Sequence, residues 1–107
     1  MTIYALASGS GISGVAVIRV SGDNVKRVIK LLTGKELPSP RVATLRKINN
    51  INTSELIDEG IIIWFPGPES YTGEDMAEFH VHGGKAVILA IQIEFCIIVN
   101  FRVGVAG

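Results

Sequence analysis

The sequence predicts an α/β domain of the α+β kind, a mixed β-sheet covered by two to three helices. Three observations carry that expectation. Short β-branched or alternating stretches at residues 3–7, 15–20, 61–65 and 76–82 are separated by glycine, proline and asparagine punctuation, as strands are. Val25, Val28, Ile29 and Leu32 recur at i, i+3, i+4 and i+7, the spacing of a helix face. The segment after Gly84 is apolar enough to cover a sheet face, and such a face must be covered by something. At 107 residues and 48% hydrophobic composition, one compact domain is expected.

In order, Ile3 to Ala7 reads as a short buried strand that ends at Ser8. Gly9, Gly11 and Gly14 then spell GxGxxG, the dinucleotide fingerprint only when a helix follows. Val15 to Val20 is β-branched instead, so the glycines are expected to form a turn between two strands. Alternation puts Val15, Val17 and Arg19 on one face and Ala16, Ile18 and Val20 on the other. Ser21 to Asn24 offers capping side chains for the helix at Val25 to Leu32, and Gly34 is placed to end it in the left-handed conformation. Lys26, Arg27 and Lys30 fall off its apolar stripe and read as a solvated face.

Leu37 to Pro40 is a stiff connector, followed by a polar strand-like segment with Val42, Leu45 and Ile48. Asn49 to Ser54 is turn chemistry at the tip of a hairpin whose second arm, Gly60 to Phe65, is apolar on both faces and belongs inside the sheet. Pro66-Gly67-Pro68 stops that arm, and Glu69 to Asp75 forms a loop. Along Met76 to His82, Ala77, Phe79 and Val81 point one way, and Met76, Glu78, His80 and His82 the other. Gly83-Gly84 breaks this strand and opens a helix expected over about Gly84 to Phe95, with a short strand near Arg102 to Val105 after it.

Composition narrows the function. Ten Lys plus Arg balance ten Asp plus Glu, so no net field draws in phosphate backbones and no direct nucleic-acid site is expected. Cys96 stands alone in an apolar run, which suits a reducing, cytoplasmic setting and a buried thiol. The N-terminus lacks the basic and apolar regions of a signal peptide, and no apolar run approaches the roughly 20 residues of a membrane span. No GxxxxGK[ST] occurs, so no GTP site is expected in this chain. His80, His82 and Glu78 share a strand face, but a zinc site wants three or four ligands and nothing completes one, so no metal is expected.

Polar chemistry concentrates between Trp64 and Gly84, which holds the only Trp, both His and four of the ten acidic residues. Arg19 and Glu78 stand out as charges on otherwise apolar or mixed strands. A carboxylate on a sheet face can accept two parallel N–H donors, such as the aminopyrimidinone edge of a pterin, and Arg19 offers the complementary fork. Equally, the two can pair with each other, or Arg19 can snorkel to solvent.

Ala5 to Gly11 with Val15 to Gly22, then Asp58 to Pro68, Ser70 to Asp75 and His82-Gly83-Gly84, resemble the start of the tRNA modification GTPase family MnmE/TrmE, in order and spacing. The resemblance implies an N-terminal domain like the folate-binding domains of the aminomethyltransferase type, which binds 5-formyltetrahydrofolate as one-carbon donor and forms a homodimer. It places Arg19 and Glu78 at folate contacts, with Tyr71, Gly73, Glu74, His82, Gly83 and Gly84 as secondary candidates. Two lysine contacts of the family, its helical and GTPase domains and its reactive C-terminal cysteine have no counterpart in this sequence, and Cys96 does not inherit that cysteine's role. For the whole family protein the resemblance implies wobble-uridine modification of tRNA with the FAD-dependent partner MnmG. A dimerising assembly module without folate affinity is the alternative.

Overall fold

The computed structural model describes residues 2–8 and 14–106, with side chains described over 2–6 and 14–98. Strands β1 (Ile3–Ser8), β2 (Val15–Ser21), β3 (Thr44–Asn49), β4 (Leu56–Phe65) and β5 (Met76–His82) form one sheet, with helices α1 (Val25–Thr33) and α2 (Lys85–Ala106). The spatial order is β1-β2-β5-β4-β3. All four pairings are antiparallel, which sharpens the mixed sheet expected from sequence. The strand that follows Gly14 confirms that no helix continues the glycine run; the turn at Gly9 and Gly11 lies outside the described residues.

Both helices cover the same face. Ala16, Ile18 and Val20 of β2, Ile62 and Trp64 of β4, and Ala77, Phe79 and Val81 of β5 form one buried cluster with Val25, Val28, Ile29 and Leu32 of α1 and Ile88, Ile91, Phe95 and Ile98 of α2. Phe95 meets Phe79 and Tyr4 edge-to-face, each at 5.3 Å between centroids, the geometry that aromatic quadrupoles favour. Ala16, Ile18 and Val20 thus share one face, as their alternation implies, and it is the buried one.

Four readings change. α2 runs on to Ala106 with no strand near residues 102–105. Burial at Ile88, Ile91, Phe95 and Ile98 follows the helical spacing expected from Gly84 and carries it past Phe95. Cys96 is exposed, not buried, because one residue beyond Phe95 the helix has turned through about 100°. The N-cap of α1 is Asn24 with no side-chain cap bond; its own N–H is taken by the Thr2 hydroxyl at 2.7 Å. β4 begins at Leu56, four residues before the expected arm, since the Asn50–Glu55 turn is tight enough to start pairing early.

That turn and the cap of α1 show local chemistry at work. Asn50 Oδ1 accepts the N–H groups of Asn52 and Thr53 at 2.8 and 3.0 Å, the side-chain mimic of a backbone turn. Gly34 ends α1 at φ 66° and donates its N–H to Lys30 O, the left-handed cap expected of glycine.

Candidate functional site

Helices cover one face of the sheet; the other is left open, and the polar positions of β2 and β5 lie on it. In the β2–β5 ladder Arg19 is opposite Glu78 and Val17 opposite His80, while in β4–β5 Ile63 is opposite Glu78 and Ile61 opposite His80. Directly opposed residues stand within side-chain reach. Arg19 Nε donates to Glu78 Oε2 at 2.8 Å, and His80 Nε2 lies 2.9 Å from Glu78 Oε1. Each carboxylate oxygen thus has its own nitrogen partner.

Burial pushes the Glu78 carboxyl pKa up, but the hydrogen bonds from His80 and Arg19, with their charge, outweigh it and hold the group below its usual value. Glu78 is 8% exposed, so its two partners offset the burial that would otherwise favour the neutral acid. The Arg19 guanidinium lies over the ring of Tyr71, 5.2 Å from its centroid, a cation–π arrangement. Among the described residues the hydrogen bond of the Arg19 guanidinium is made by Nε, which leaves the four N–H donors of its Nη nitrogens for a ligand.

The loop after β4 forms the wall beside this pair. Gly67 N–H donates to Asp75 Oδ1 at 3.0 Å, and the Asp75 carbonyl accepts from Gly22 N–H at 2.9 Å. Ser21 and Thr72 hydroxyls join at 2.7 Å, tying the loop to β2. Between loop and sheet is a cleft of about 450 Å³ lined by Arg41, Phe65, Glu69, Ser70, Tyr71 and Glu78. A smaller hollow of about 180 Å³ lies across Tyr71, where Arg19, Ser21 and Thr72 line it. A concave site that sets a few convergent polar groups beside aromatic side chains, here Phe65 and Tyr71, is a usual make-up of a small-molecule site.

The family described as GTP-binding protein TrmE N-terminus matches residues 2–107 of this chain. The chain belongs to the TrmE N-terminal family. It is similar, at 69% identity over 107 residues, to the tRNA modification GTPase MnmE of Pelagibacter ubique (strain HTCC1062), of which it covers 24%. It is 54% identical over 90 residues to the mitochondrial 5-taurinomethyluridine-[tRNA] synthase subunit GTPB3 of Danio rerio and 47% over 91 residues to that of Homo sapiens, using 84% of this chain and 18% of each relative. The chain therefore spans a quarter or less of the length of these relatives.

Within this TrmE N-terminal fold the sequence-derived candidates separate into two groups. Arg19, Glu78 and Tyr71 are brought together: Glu78 and Tyr71 line the cleft, and Arg19, bonded to Glu78, lines the smaller hollow across Tyr71. Gly73 (φ 79°) and Glu74 shape the loop instead: Glu74 O accepts the Ser70 hydroxyl and Glu74 N–H reaches Thr72 Oγ1 at 3.3 Å. His82, Gly83 and Gly84 lie at the far end of β5 and do not line the cleft. There Asp58 accepts both the backbone N–H of His82 at 2.9 Å and its Nδ1 at 2.8 Å, and Gly83 N–H meets Gly14 O.

Sequence reasoning missed three contributors. His80 was weighed only as a metal ligand, yet it is the second partner of Glu78. Its place two residues along the same strand face was the available signal. Arg41, at φ 63°, donates to Glu69 O at 2.9 Å and closes the cleft from the connector, where no local pattern marks it. Phe65 was read only as strand core. Among the described residues no group of three or more metal-ligating side chains converges, and no helix is long and apolar enough to cross a membrane.

Proposed function

We propose that this chain is a folate-binding and dimerising domain, working in the cytoplasm, which takes 5-formyltetrahydrofolate as one-carbon donor for wobble-uridine modification of tRNA by a longer protein and its partner MnmG. The observation that carries the reading is the Glu78 carboxylate, held by Arg19 and His80, beside the Tyr71 cleft. A carboxylate there matches the paired N–H donors of a pterin, and the Arg19 fork matches a carbonyl or carboxylate of the same ligand. The names of the similar proteins, each a tRNA-modifying GTPase or synthase subunit, support the tRNA half. GTP itself is assigned to no residue of this chain, which has no phosphate loop.

Calorimetric titration of 5-formyltetrahydrofolate tests it. Glu78→Gln turns one acceptor into a donor and should weaken binding by about 1.5–3 kcal/mol, the range for hydrogen bonds to charged groups. Arg19→Lys loses the planar fork and should cost less. Binding that neither substitution weakens would remove these residues from the site. The dimer is tested separately by sedimentation, where a mass that stays monomeric at every concentration counts against it. The second reading, an assembly module without folate affinity, has one observation in its favour: Arg19 and Glu78 already satisfy each other. Wild-type chain that dimerises and takes up no folate would establish it.

A further inference from the structure

Arg41 lines the Glu78 cleft in a backbone conformation that its side chain disfavours. Ser39 to Val42 closes as a turn, with Val42 N–H donating to Ser39 O at 3.2 Å. Pro40 suits the second position of such a turn, but the third, when its φ is positive, is a place for glycine or asparagine. An arginine stands there at φ 63°. Strain of this kind persists only where the surroundings hold it, and it collects at ligand sites.

The surroundings do hold it. Arg41 N–H donates to Trp64 O at 2.8 Å, which fixes the residue beside the end of β4, and its Nη2 donates to Glu69 O at 2.9 Å. The first bond is backbone and any residue but proline could make it, so it does not explain the arginine. β4 lies between Arg41 and β5, and its Ile63 is opposite Glu78. Across the sheet the two charged residues therefore stand two strand spacings apart, roughly 10 Å. The acidic partner of Arg41 is a loose one: Glu69 Oε2 is 3.5 Å from Nη2, and the side chains are 82% and 44% exposed. Charge-assisted hydrogen bonds close to about 2.7–2.9 Å, so Glu69 is exchanged for a better acceptor at little cost.

Resting on the assignment of folate to this cleft, we propose that Arg41 receives the glutamate carboxylate of the ligand while Glu78 holds its pterin, with the aminobenzoyl spacer lying between them against Phe65 and Tyr71. Arg19 stays at the ring end, because its Nε is committed to Glu78 and it lines the hollow across Tyr71. Glu69 competes with the ligand's carboxylate for the same guanidinium and lowers its affinity. A purely structural Arg41 would pin the loop through Glu69 O, and that bond is indifferent to the charge on the ligand's tail.

The test is calorimetric titration with 5-formyltetrahydrofolate and, in parallel, with its glutamate diamide, which has the same size and no carboxylate. Wild type should bind the acid about fivefold more tightly than the diamide, the upper end for a half-exposed ion pair, and the preference should shrink as salt rises. Arg41→Gly should bind the two ligands equally. Glycine accepts the positive φ, so this variant should melt higher than Arg41→Ala, which keeps the strain without the side chain; the decisive variant is thus the one that folds best. Glu69→Gln should tighten the acid alone, whereas Glu78→Gln, acting at the ring end, should weaken acid and diamide by the same factor. Equal binding of acid and diamide by wild type overturns the proposal, as does an Arg41→Gly variant that keeps the preference, whether or not both affinities fall. In those cases folate binding itself survives. Wild type that takes up neither ligand ends the assignment of folate to the cleft, and this inference with it.

Discussion

On the helix-covered side of the sheet Ala16, Ile18, Ile62, Ala77 and Phe79 are completely buried, while one residue along from each the open side presents Val17, Arg19, Ile61, Ile63, Glu78 and His80. The same strands thus carry two different kinds of order. On the covered side position is fixed by volume, and any hydrophobic side chain of the right size serves. On the open side it is fixed by directed hydrogen bonds, Arg19 and His80 each taking one oxygen of Glu78. Volume packing stores most of the stability; the directed bonds store little, but they keep a carboxylate ionised and aimed.

The largest effect should come from the covered side. Phe79→Ala empties a site packed against Phe95 and should cost about 3–5 kcal/mol, as buried aromatic truncations do. Chemical denaturation would measure it. A loss under about 1 kcal/mol would mean that the two faces differ less than their burial suggests.

Gly60→Ala should come next, because it couples the two faces. A Cβ built at Gly60 would stand 2.3 Å from the carbonyl oxygen of His80 and 3.2 Å from Val81 Cγ1. Backbone cannot yield as a side-chain tip can, so β4 must shift from β5 at a cost of about 1–3 kcal/mol. The shift also moves His80 relative to Glu78. The variant should therefore lose folate affinity along with stability, and a variant that melts lower while binding folate unchanged would show that the faces are mechanically separate.

The difference between the faces also explains what could be read from the sequence. Alternation assigned Val15 to Val20 of β2 and Met76 to His82 of β5 to two faces as the structure has them, because a period of two leaves no other choice once one side is apolar. It also singled out Arg19 and Glu78. It could not say that they meet, since that depends on the β2–β5 register across a sequence separation of 59. The same holds for Glu94, which is 2% exposed and accepts Ile51 N–H at 2.8 Å. A lone acid in an apolar helix reads as an anomaly until the hairpin turn that it holds is in place. Arg41 and Phe65 join the cleft only through the path of the connector and loop; the helix expected over Gly84 to Phe95 forms, and it runs on to Ala106 in place of the short strand expected near Arg102 to Val105.

The smallest expected effect, and the one that isolates the open face, is the pH dependence of Glu78. Its folded-state pKa is depressed below the ordinary value of 4.5, burial being outweighed by the His80 and Arg19 partners. A depressed acid contributes stability that is fully present above its unfolded pKa and is lost as pH falls through the folded one. Arg19 is nearly half exposed, so solvent screening keeps the contribution within about 0.2–1 kcal/mol. Thermal melts of wild type and Glu78→Gln should therefore differ slightly but constantly from pH 7 down to about 5, and converge below 4.5, where protonation leaves both side chains neutral. The same comparison made on a His80→Gln background leaves Arg19 as the remaining side-chain partner of Glu78, so the slope that survives there belongs to the Arg19 pair. A difference between wild type and Glu78→Gln that stays the same from pH 7 to pH 3 would mean that the carboxylate's charge contributes nothing to folding and that its place on the open face is fixed by shape alone.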